Sequence, residues 1–457
     1  MRVPMLLAAT ASLWFFYLLL RRIGGERAAL IGCALLATDS AYLLTACFDW
    51  GPVALQHLLL VGGMLLLVRF YQQRGPGTLF AGFLCLGLAL WDKALAMWML
   101  TGMGVAALLV FPRQIVRVAT GRRMVIAVLA FVIGALPLLV YNATHHWDTF
   151  HGNFRPDLGD MPGKAGMVMA TASTGGLFGW LTEEDWKTVA PHAPRSALAR
   201  LSAKISSLDG DIRQQALLYL FALALLVAPL ARGNDLRAIL FALVTGVVAW
   251  TQMAITAGAG GSIHHTILLW PLPEMVIALS LASASRRLGR AGIPALAVVL
   301  GISLISGALV INEYFTKMVR NGGAQAWDDA IFALAGYLKQ VPAKTVISMD
   351  WGIMDPLRLL GAGRLPLAMG SEQVSKPEMN EGDRAIVERM ISSPDNVFIA
   401  HTKPFEFFPG NAVKLVKYAA DRGYRRQDLA TISDTYGRPV FEIFRLMPEA
   451  ERNRTGQ

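Results

Sequence analysis

Two acidic residues lie at the ends of long apolar runs, where an ionisable side chain is costly and is therefore a candidate for function. Asp39 lies in Ala37-Thr-Asp-Ser-Ala-Tyr42, and Asp49 lies in Cys47-Phe-Asp-Trp-Gly-Pro52. An ionised group at the centre of a membrane helix costs roughly 2.5 to 3.5 kcal/mol on insertion scales. A carboxylate beside a bilayer surface can bind a metal, orient a hydroxyl nucleophile or accept its proton. We therefore predict Asp49 and Asp39 as catalytic residues, with helix capping as the alternative for Asp49.

Three basic side chains stand at similar positions. Lys93 follows Asp92 at the end of an apolar run, and His264 and His265 precede the proline-rich Trp270-Pro-Leu-Pro273. A lysine at headgroup depth can hold a lipid-linked phosphate by charge-assisted hydrogen bonds, or it can simply extend to the interface beside Asp92. Irregular backbone at membrane depth is tolerated mainly where it lines a cavity or is buried. We predict that Lys93, His264 and His265 bind the phosphate of a lipid carrier.

A further group of histidines, His145, His146 and His151, surrounds Asp148. Imidazoles and a carboxylate can ligate a metal or hold a diphosphate, but their spacing matches no standard zinc site. The sequence leaves the cofactor unknown and leaves a divalent metal open.

The amino-acid composition indicates which class of protein contains these residues. Of 457 residues, 54% are hydrophobic and 16% are charged, whereas roughly a quarter of the residues in a soluble domain are charged. Long continuous apolar runs exclude a soluble enzyme, and their lack of alternation excludes a β-barrel. The chain is predicted to be a polytopic all-α membrane protein. The three cysteines lie in or beside apolar runs and offer no disulfide framework to the polar segments.

About ten spans are predicted, and their loops alternate in charge. The spans are 3–20, 28–47, 52–71, 79–91, 94–111, 124–141, 215–231, 237–257, 266–284 and 293–312. Arginines concentrate in the loops after the first, third, fifth, seventh and ninth spans, which makes those loops cytoplasmic by the positive-inside rule. The other loops, which carry Asp49, Lys93 and His264, then face outward. So does everything after residue 312.

Residues 1–312 are thus predicted as a multi-span transmembrane domain with an outward loop at 142–214, and residues 313–457 as an extracytoplasmic α/β domain. Strands are expected at 345–349, 396–400 and 439–444, with helices at 325–340, 382–392 and 411–422. Ten spans and an outward C-terminus also place Met1 outside. We therefore expect that an N-terminal span and the outward loop after it precede this chain in the parent gene.

The order of these features resembles the GT-C membrane glycosyltransferases, specifically family 39, which includes protein O-mannosyltransferases and the lipid A aminoarabinose transferase. The resemblance rests on the Arg2-Val-Pro start, Arg21-Arg22-Ile-Gly-Gly-Glu-Arg27, the pair Asp39 and Asp49, Lys93, Leu136-Pro137, and His264-His265 before Trp270-Pro-Leu-Pro273.

The resemblance implies an inverting transfer of a sugar from a polyprenyl-phosphate carrier to a lipid, glycan or protein acceptor on the outer face of the inner membrane, as part of the cell envelope. It implies that Asp49 matches the family's second acidic position, that Lys93 contacts the carrier phosphate, and that His264 and His265 lie near the same pocket. The family's principal carboxylate lies in an outward loop that precedes the span matching Arg2-Val-Pro, so the activity of this chain itself is left open.

Two other classes stay open at this point. One is a transporter or flippase of a lipid-linked sugar, for which inverted repeats and inward ionisable groups are expected but not evident. The other is a noncatalytic membrane partner that binds glycan. Nothing in the sequence indicates a nucleic-acid partner.

Overall fold

In the computed structural model the chain is described over residues 2–48, 53–149, 155–184, 191–324 and 327–449. It forms two compact units. The helical unit comprises Met1–Leu177 and Ile205–Glu313, and the sheet unit comprises Phe178–Lys204 and Tyr314–Gln457. Residues 178–204, from the segment predicted as an outward loop, thus belong to the sheet unit.

Apolar helices dominate the chain as far as residue 321. They are α1 Arg2–Thr38, α2 Ser40–Phe48, α3 Val53–Gln73, α4 Pro76–Asp92, α5 Ala96–Val110, α6 Pro112–Val118, α7 Gly121–Thr144, α8 Met161–Thr174, α9 Ala197–Asp209, α10 Leu217–Val227, α11 Gly233–Ala254, α12 Ile263–Thr266, α13 Leu272–Arg287 and α14 Gly292–Asn321.

Six helices in the described ranges have the length and composition of membrane spans, or eight if each of two bent pairs counts as one span. The chain is a multi-pass membrane protein. Two shorter apolar helices, Pro76–Asp92 and Leu217–Leu230, coincide with further predicted segments. The count of ten stays a prediction.

The break between the first two predicted spans lies at Gly25 within α1. Its φ of 83° is accessible to glycine without a steric penalty and costs any other residue strain. The next segment bends by 59° between Thr38 and Ser40, and Asp39 is the residue at that bend.

Contacts within the helical unit bring the arginine-bearing loops to one end. Arg22 Nη1 donates to Gln72 Oε1 at 3.0 Å, and Arg286 pairs with Asp235 at 2.5 Å. At the other end, Lys93 Nζ donates to the carbonyl of His264 at 2.8 Å. We call these the arginine end and the lysine end. The pairing of loops agrees with the alternation that the sequence predicts.

The sheet unit contains a five-stranded mixed sheet. Its strands are β1 Val346–Ser348, β2 Leu367–Met369, β3 Val397–His401, β4 Tyr424–Ser433 and β5 Pro439–Pro448, in the order β2-β1-β3-β5-β4. β1 is parallel to β2 and β3, while β5 is antiparallel to β3 and β4. The accompanying helices are α15 Ala330–Leu338, α16 Met354–Leu360, α17 Ser371–Val374, α18 Glu381–Ile391 and α19 Asn411–Ala420.

Alternating residues of the central strands bury apolar side chains on both faces of the sheet. In β3, Val397 and Ile399 pack in one cluster with helix α15. Phe398 and Ala400 pack in another with helices α18 and α19. This period of two is that of a strand buried on both faces. The predicted C-terminal α/β fold is thereby confirmed, with its three predicted strands and three predicted helices present.

Candidate functional site

Asp39 occupies the bend between α1 and α2 and is 3% exposed. Its Oδ1 accepts a hydrogen bond from the backbone N–H of Tyr42 at 2.7 Å, which is the contact of a helix N-cap. Its Oδ2 accepts from Gln215 Nε2 at 2.8 Å. Both carboxylate oxygens are engaged, so Asp39 holds the broken span in shape. These contacts favour a positioning role over a free base.

Gln215 connects this bend to helix α8. The same Nε2 donates to the carbonyl of Ala172 at 3.0 Å, and its Oε1 accepts from the backbone N–H of Ser40 at 3.2 Å. Because Gln215 is buried, each of these bonds is made away from water and is costly to lose. Asp39 therefore orders a helix more than a hundred residues distant in sequence.

A second carboxylate, Glu274, lies close to Asp39. It is fully buried in the first turn of α13 and interacts electrostatically with Asp39. Among the described residues, neither oxygen of Glu274 has a hydrogen-bond partner. The Trp270 indole N–H lies near both carboxylates but meets hydrogen-bond geometry with neither. Two buried acids without a cation repel each other unless one holds a proton.

The lysine end gathers the predicted phosphate-binding residues. Lys93, half-buried at the end of α4, donates to the His264 carbonyl at 2.8 Å, which uses one of the three N–H bonds of its ammonium group. The His264 and His265 rings are 4.1 Å apart, and both imidazoles interact electrostatically with Lys93. Within the described part of the chain, the buried His265 Nδ1 makes no hydrogen bond.

His57 links this group to the bend at Asp39. It is fully buried in α3 and its Nε2 lies 2.9 Å from the carbonyl of Ile267. Its ring is 5.4 Å from that of Tyr42, the residue whose N–H binds Asp39, and it also interacts electrostatically with Lys93. The structure thus arranges Asp39, Tyr42, His57, Lys93 and His264 as a continuous series of neighbours.

The remaining predicted catalytic residue, Asp49, lies outside the described residues. The nearest described residues before and after it are Phe48, which ends α2, and Val53, which begins α3. The Lys93 and histidine assignments stay predictions of role, although the structure brings these three side chains together.

The buried polar residues of the helical unit that the sequence reasoning missed include Glu274, His57 and Lys164. Glu274 and His57 interrupt predicted spans, and the cost of an ionisable group in a span was a sufficient signal for both. Lys164 is 3% exposed in α8. Its Nζ donates to the carbonyls of Ala254 at 2.9 Å and Thr256 at 2.7 Å, which anchors α8 to the end of α11. Nothing in the loop sequence distinguishes Lys164 from a surface lysine.

A separate buried pair stands at the carboxyl ends of β1 and β3 in the sheet unit. Asp350 Oδ2 lies 2.9 Å from His401 Nδ1, and the backbone N–H groups of Phe407 and Phe408 each donate to Asp350 at 2.9 Å. Burial alone raises the pKa of Asp350, but the hydrogen bonds from His401 and Phe407 outweigh it, so the pKa is lowered. These contacts tie the loop at Phe407 and Phe408 to the end of β3, which indicates a structural role for the carboxylate.

No group of three or more His, Cys, Asp or Glu side chains suited to a metal occurs in the ranges that the structure describes. His145, His146 and Asp148 are described and form no such group, while His151 lies outside the described residues.

No protein-family model matches the chain, and no curated protein matches it. Two crystal structures of ArnT from Cupriavidus metallidurans share its fold. The one bound to undecaprenyl phosphate has a TM-score of 0.53 at 11% identity, over 97% of this chain and 83% of that one. The apo structure has a TM-score of 0.50 at 13% identity over the same shares. The chain has a GT-C fold, as the sequence resemblance implied.

Proposed function

We propose that the protein is a membrane glycosyltransferase that transfers a sugar from a polyprenyl-phosphate carrier to an acceptor at the outer face of the inner membrane. The observation that carries the proposal is the group of Lys93, His264 and His265 at the lysine end of a GT-C fold. One of the structures sharing this fold is bound to undecaprenyl phosphate. Assignment to family 39 and an extracytoplasmic sheet unit are parts of the same proposal.

Lys93 is the residue that we assign to the carrier phosphate. Its ammonium retains two N–H bonds beyond the one given to the His264 carbonyl. Charge-assisted hydrogen bonds from a partly desolvated ammonium to a phosphate are among the stronger polar contacts in proteins. The buried Nδ1 of His265, which has no hydrogen-bond partner among the described residues, is assigned a further polar contact to the same headgroup.

Asp49 is assigned to the acceptor. In an inverting transfer the acceptor oxygen forms a bond to the anomeric carbon while the bond from that carbon to the phosphate oxygen breaks. The acceptor hydroxyl gives its proton to a carboxylate, and the phosphate leaves with the bonding electron pair. Lys93 stabilises the negative charge that develops on the leaving phosphate. Asp39 positions the segment leading to Asp49 through its contacts with Tyr42 and Gln215.

The test of the Lys93 assignment is Lys93→Met, which keeps the aliphatic stem and removes the charge. We expect carrier affinity to fall by roughly tenfold to a hundredfold, the value of one charge-assisted contact of about 1.5 to 3 kcal/mol. Lys93→Arg should restore part of it. The measurement is direct binding of polyprenyl phosphate to the purified protein, because binding does not depend on catalytic competence.

Lys339→Met is the matched control, because Lys339 is exposed in the sheet unit. Thermal unfolding of both variants separates lost binding from lost folding. If Lys93→Met binds the carrier as well as the Lys339→Met control does, Lys93 is an interfacial anchor and the phosphate site must be sought at the histidines.

A further inference from the structure

A large apolar cavity opens at the arginine end of the helical unit, away from the residues assigned above. Its volume is about 550 Å³, within the range typical of small-molecule sites. Leu86, Met103 and Phe241 are among its lining residues, which are mostly apolar, and neither Lys93 nor either of His264 and His265 lines it. The cavity is therefore distinct from the proposed carrier-phosphate site.

The chain leaves this space open because of the shape of one span. Helix α5 ends at Val110, and the following helix α6 turns away by 100°. Gly104 of α5 lines the cavity, and a Cβ placed on it would meet no atom within 4 Å. Room for a ligand is thus present beside α5 without displacement of any protein atom.

Two arginines, Arg22 and Arg123, are among the residues that line the same cavity. Arg22 Nη1 donates to Gln72 Oε1 at 3.0 Å. Arg123 Nη1 donates to the Val118 carbonyl at 3.4 Å. Among the described residues, neither contacts a carboxylate, whereas the adjacent Arg21 pairs with Glu26 at 3.0 Å.

The wall and the charges together determine the ligand's chemistry. Apolar walls of this extent fit a hydrocarbon chain, and two uncompensated arginines favour a phosphate at its end. The cavity volume of about 550 Å³ is comparable to that of one fatty acyl chain. A polyprenyl chain is several times longer and exceeds it.

We propose that this cavity binds an anionic phospholipid, with one acyl chain between α1, α3, α5 and α7 and its phosphate at Arg22 and Arg123. The lipid fills the space beside the bent span and neutralises the two arginines. This site is separate from the proposed glycosyl transfer, and a failure of either proposal leaves the other unaffected.

The test is binding of phosphatidylglycerol to the full chain in detergent, measured by native mass spectrometry. Phosphatidylcholine with the same acyl chains is the neutral comparison. We expect phosphatidylglycerol to bind at least about tenfold more tightly, and the double variant Arg22→Gln, Arg123→Gln to abolish that preference. Arg117→Gln is the charge control, because Arg117 lies on α6 outside the cavity lining.

A second pair of variants tests the cavity itself. Gly104→Leu places a branched side chain in the empty space and should weaken phosphatidylglycerol binding. Gly301→Leu is its match, since Gly301 is also helical, also has no atom within 4 Å of a built Cβ, and lies outside the cavity. Leucine is a better helix former than glycine, so neither change should impair folding. Should Gly104→Leu fail to fold, Ala107→Leu fills the same cavity.

Three results would overturn the proposal. One is equal affinity for the anionic and neutral phospholipids. Another is equal binding by the Gly104→Leu and Gly301→Leu variants. The last is polyprenyl phosphate competing for this site with an affinity equal to that of phosphatidylglycerol, which would make the cavity part of the carrier path.

Discussion

Replacing Asp350 by Asn should loosen the loop that joins β3 to α19, because this carboxylate accepts four hydrogen bonds and two of them come from that loop. Oδ2 accepts from His401 Nδ1 and from the N–H of Phe407, both at 2.9 Å. Oδ1 accepts from the N–H of Phe408 at 2.9 Å and of Trp351 at 2.8 Å. Asparagine offers one oxygen, so its amide nitrogen faces at least one backbone N–H wherever it is placed, because only His401 Nδ1 can change from donor to acceptor through a change of tautomer.

The magnitude follows from that lost bond. A hydrogen bond to a charged group contributes about 1.5 to 3 kcal/mol, and the orphaned donor stays buried. Asp350→Asn should therefore destabilise this region by about 1.5 to 3 kcal/mol, or roughly one to two orders of magnitude in an opening equilibrium. Asp355→Asn is the control, because the Asp355 side chain is 87% exposed and pairs only with Arg358 among the described residues. Such a surface pair contributes about 0 to 1 kcal/mol.

The assay is hydrogen–deuterium exchange of peptides covering 397–408 in the full chain. If Asp350→Asn lowers protection by less than about tenfold, or if Asp355→Asn lowers it equally, Asp350 does not hold this loop. The pH dependence gives a second check. Because the folded pKa of Asp350 lies below the ordinary value of 3.8, its stabilisation is complete above that pH and is lost as the pH falls through the folded value. Asp350→Asn should remove this acid-induced step.

Three further predictions concern the helical unit and its orientation. Asp39→Ala should lower stability by about 1 kcal/mol through loss of a helix cap, seen as a lower melting temperature, and an unchanged value would rule out the capping role. Glu274→Gln should keep or raise the melting temperature, since an amide cannot acquire the charge that burial and Asp39 disfavour at this position; a marked fall would reveal a partner that stabilises the ionised form. Topology reporters should read cytoplasmic after Arg290 and external near Ala400, and a cytoplasmic reading at Ala400 would reverse the site's assigned side.

Much of the architecture could be predicted because hydropathy and period are local signals. The apolar runs correspond to helices, and buried strands such as Val397–His401 have the continuous apolar pattern that predicts them. Two strands were not predicted, and each has a physical reason. Leu367–Met369 has only three residues. Tyr424–Ser433 is an edge strand with charged, exposed positions. Charged residues keep an edge strand from pairing with another chain, but they also remove the apolar pattern that predicts a strand.

The candidate site was predictable only in part. Loop charges placed Lys93 and His264 on the same side of the membrane, and the family resemblance implied that they lie near the same pocket. The hydrogen bond between them joins residues 171 positions apart, and no spacing rule specifies such a contact. Asp39 is similar, because its cap is local to Tyr42 whereas its bond to Gln215 depends on how α8 and α10 pack.

Glycosyl transfer is tested most directly by measuring release of polyprenyl phosphate from a sugar-loaded carrier by the membrane-embedded protein. We expect release that depends on the sugar and requires an acceptor, that falls sharply in Asp49→Asn, and that falls in Lys93→Met through weaker carrier binding. If the protein moves the loaded carrier across the bilayer with the sugar still attached, or binds it without releasing polyprenyl phosphate, it is not a glycosyltransferase.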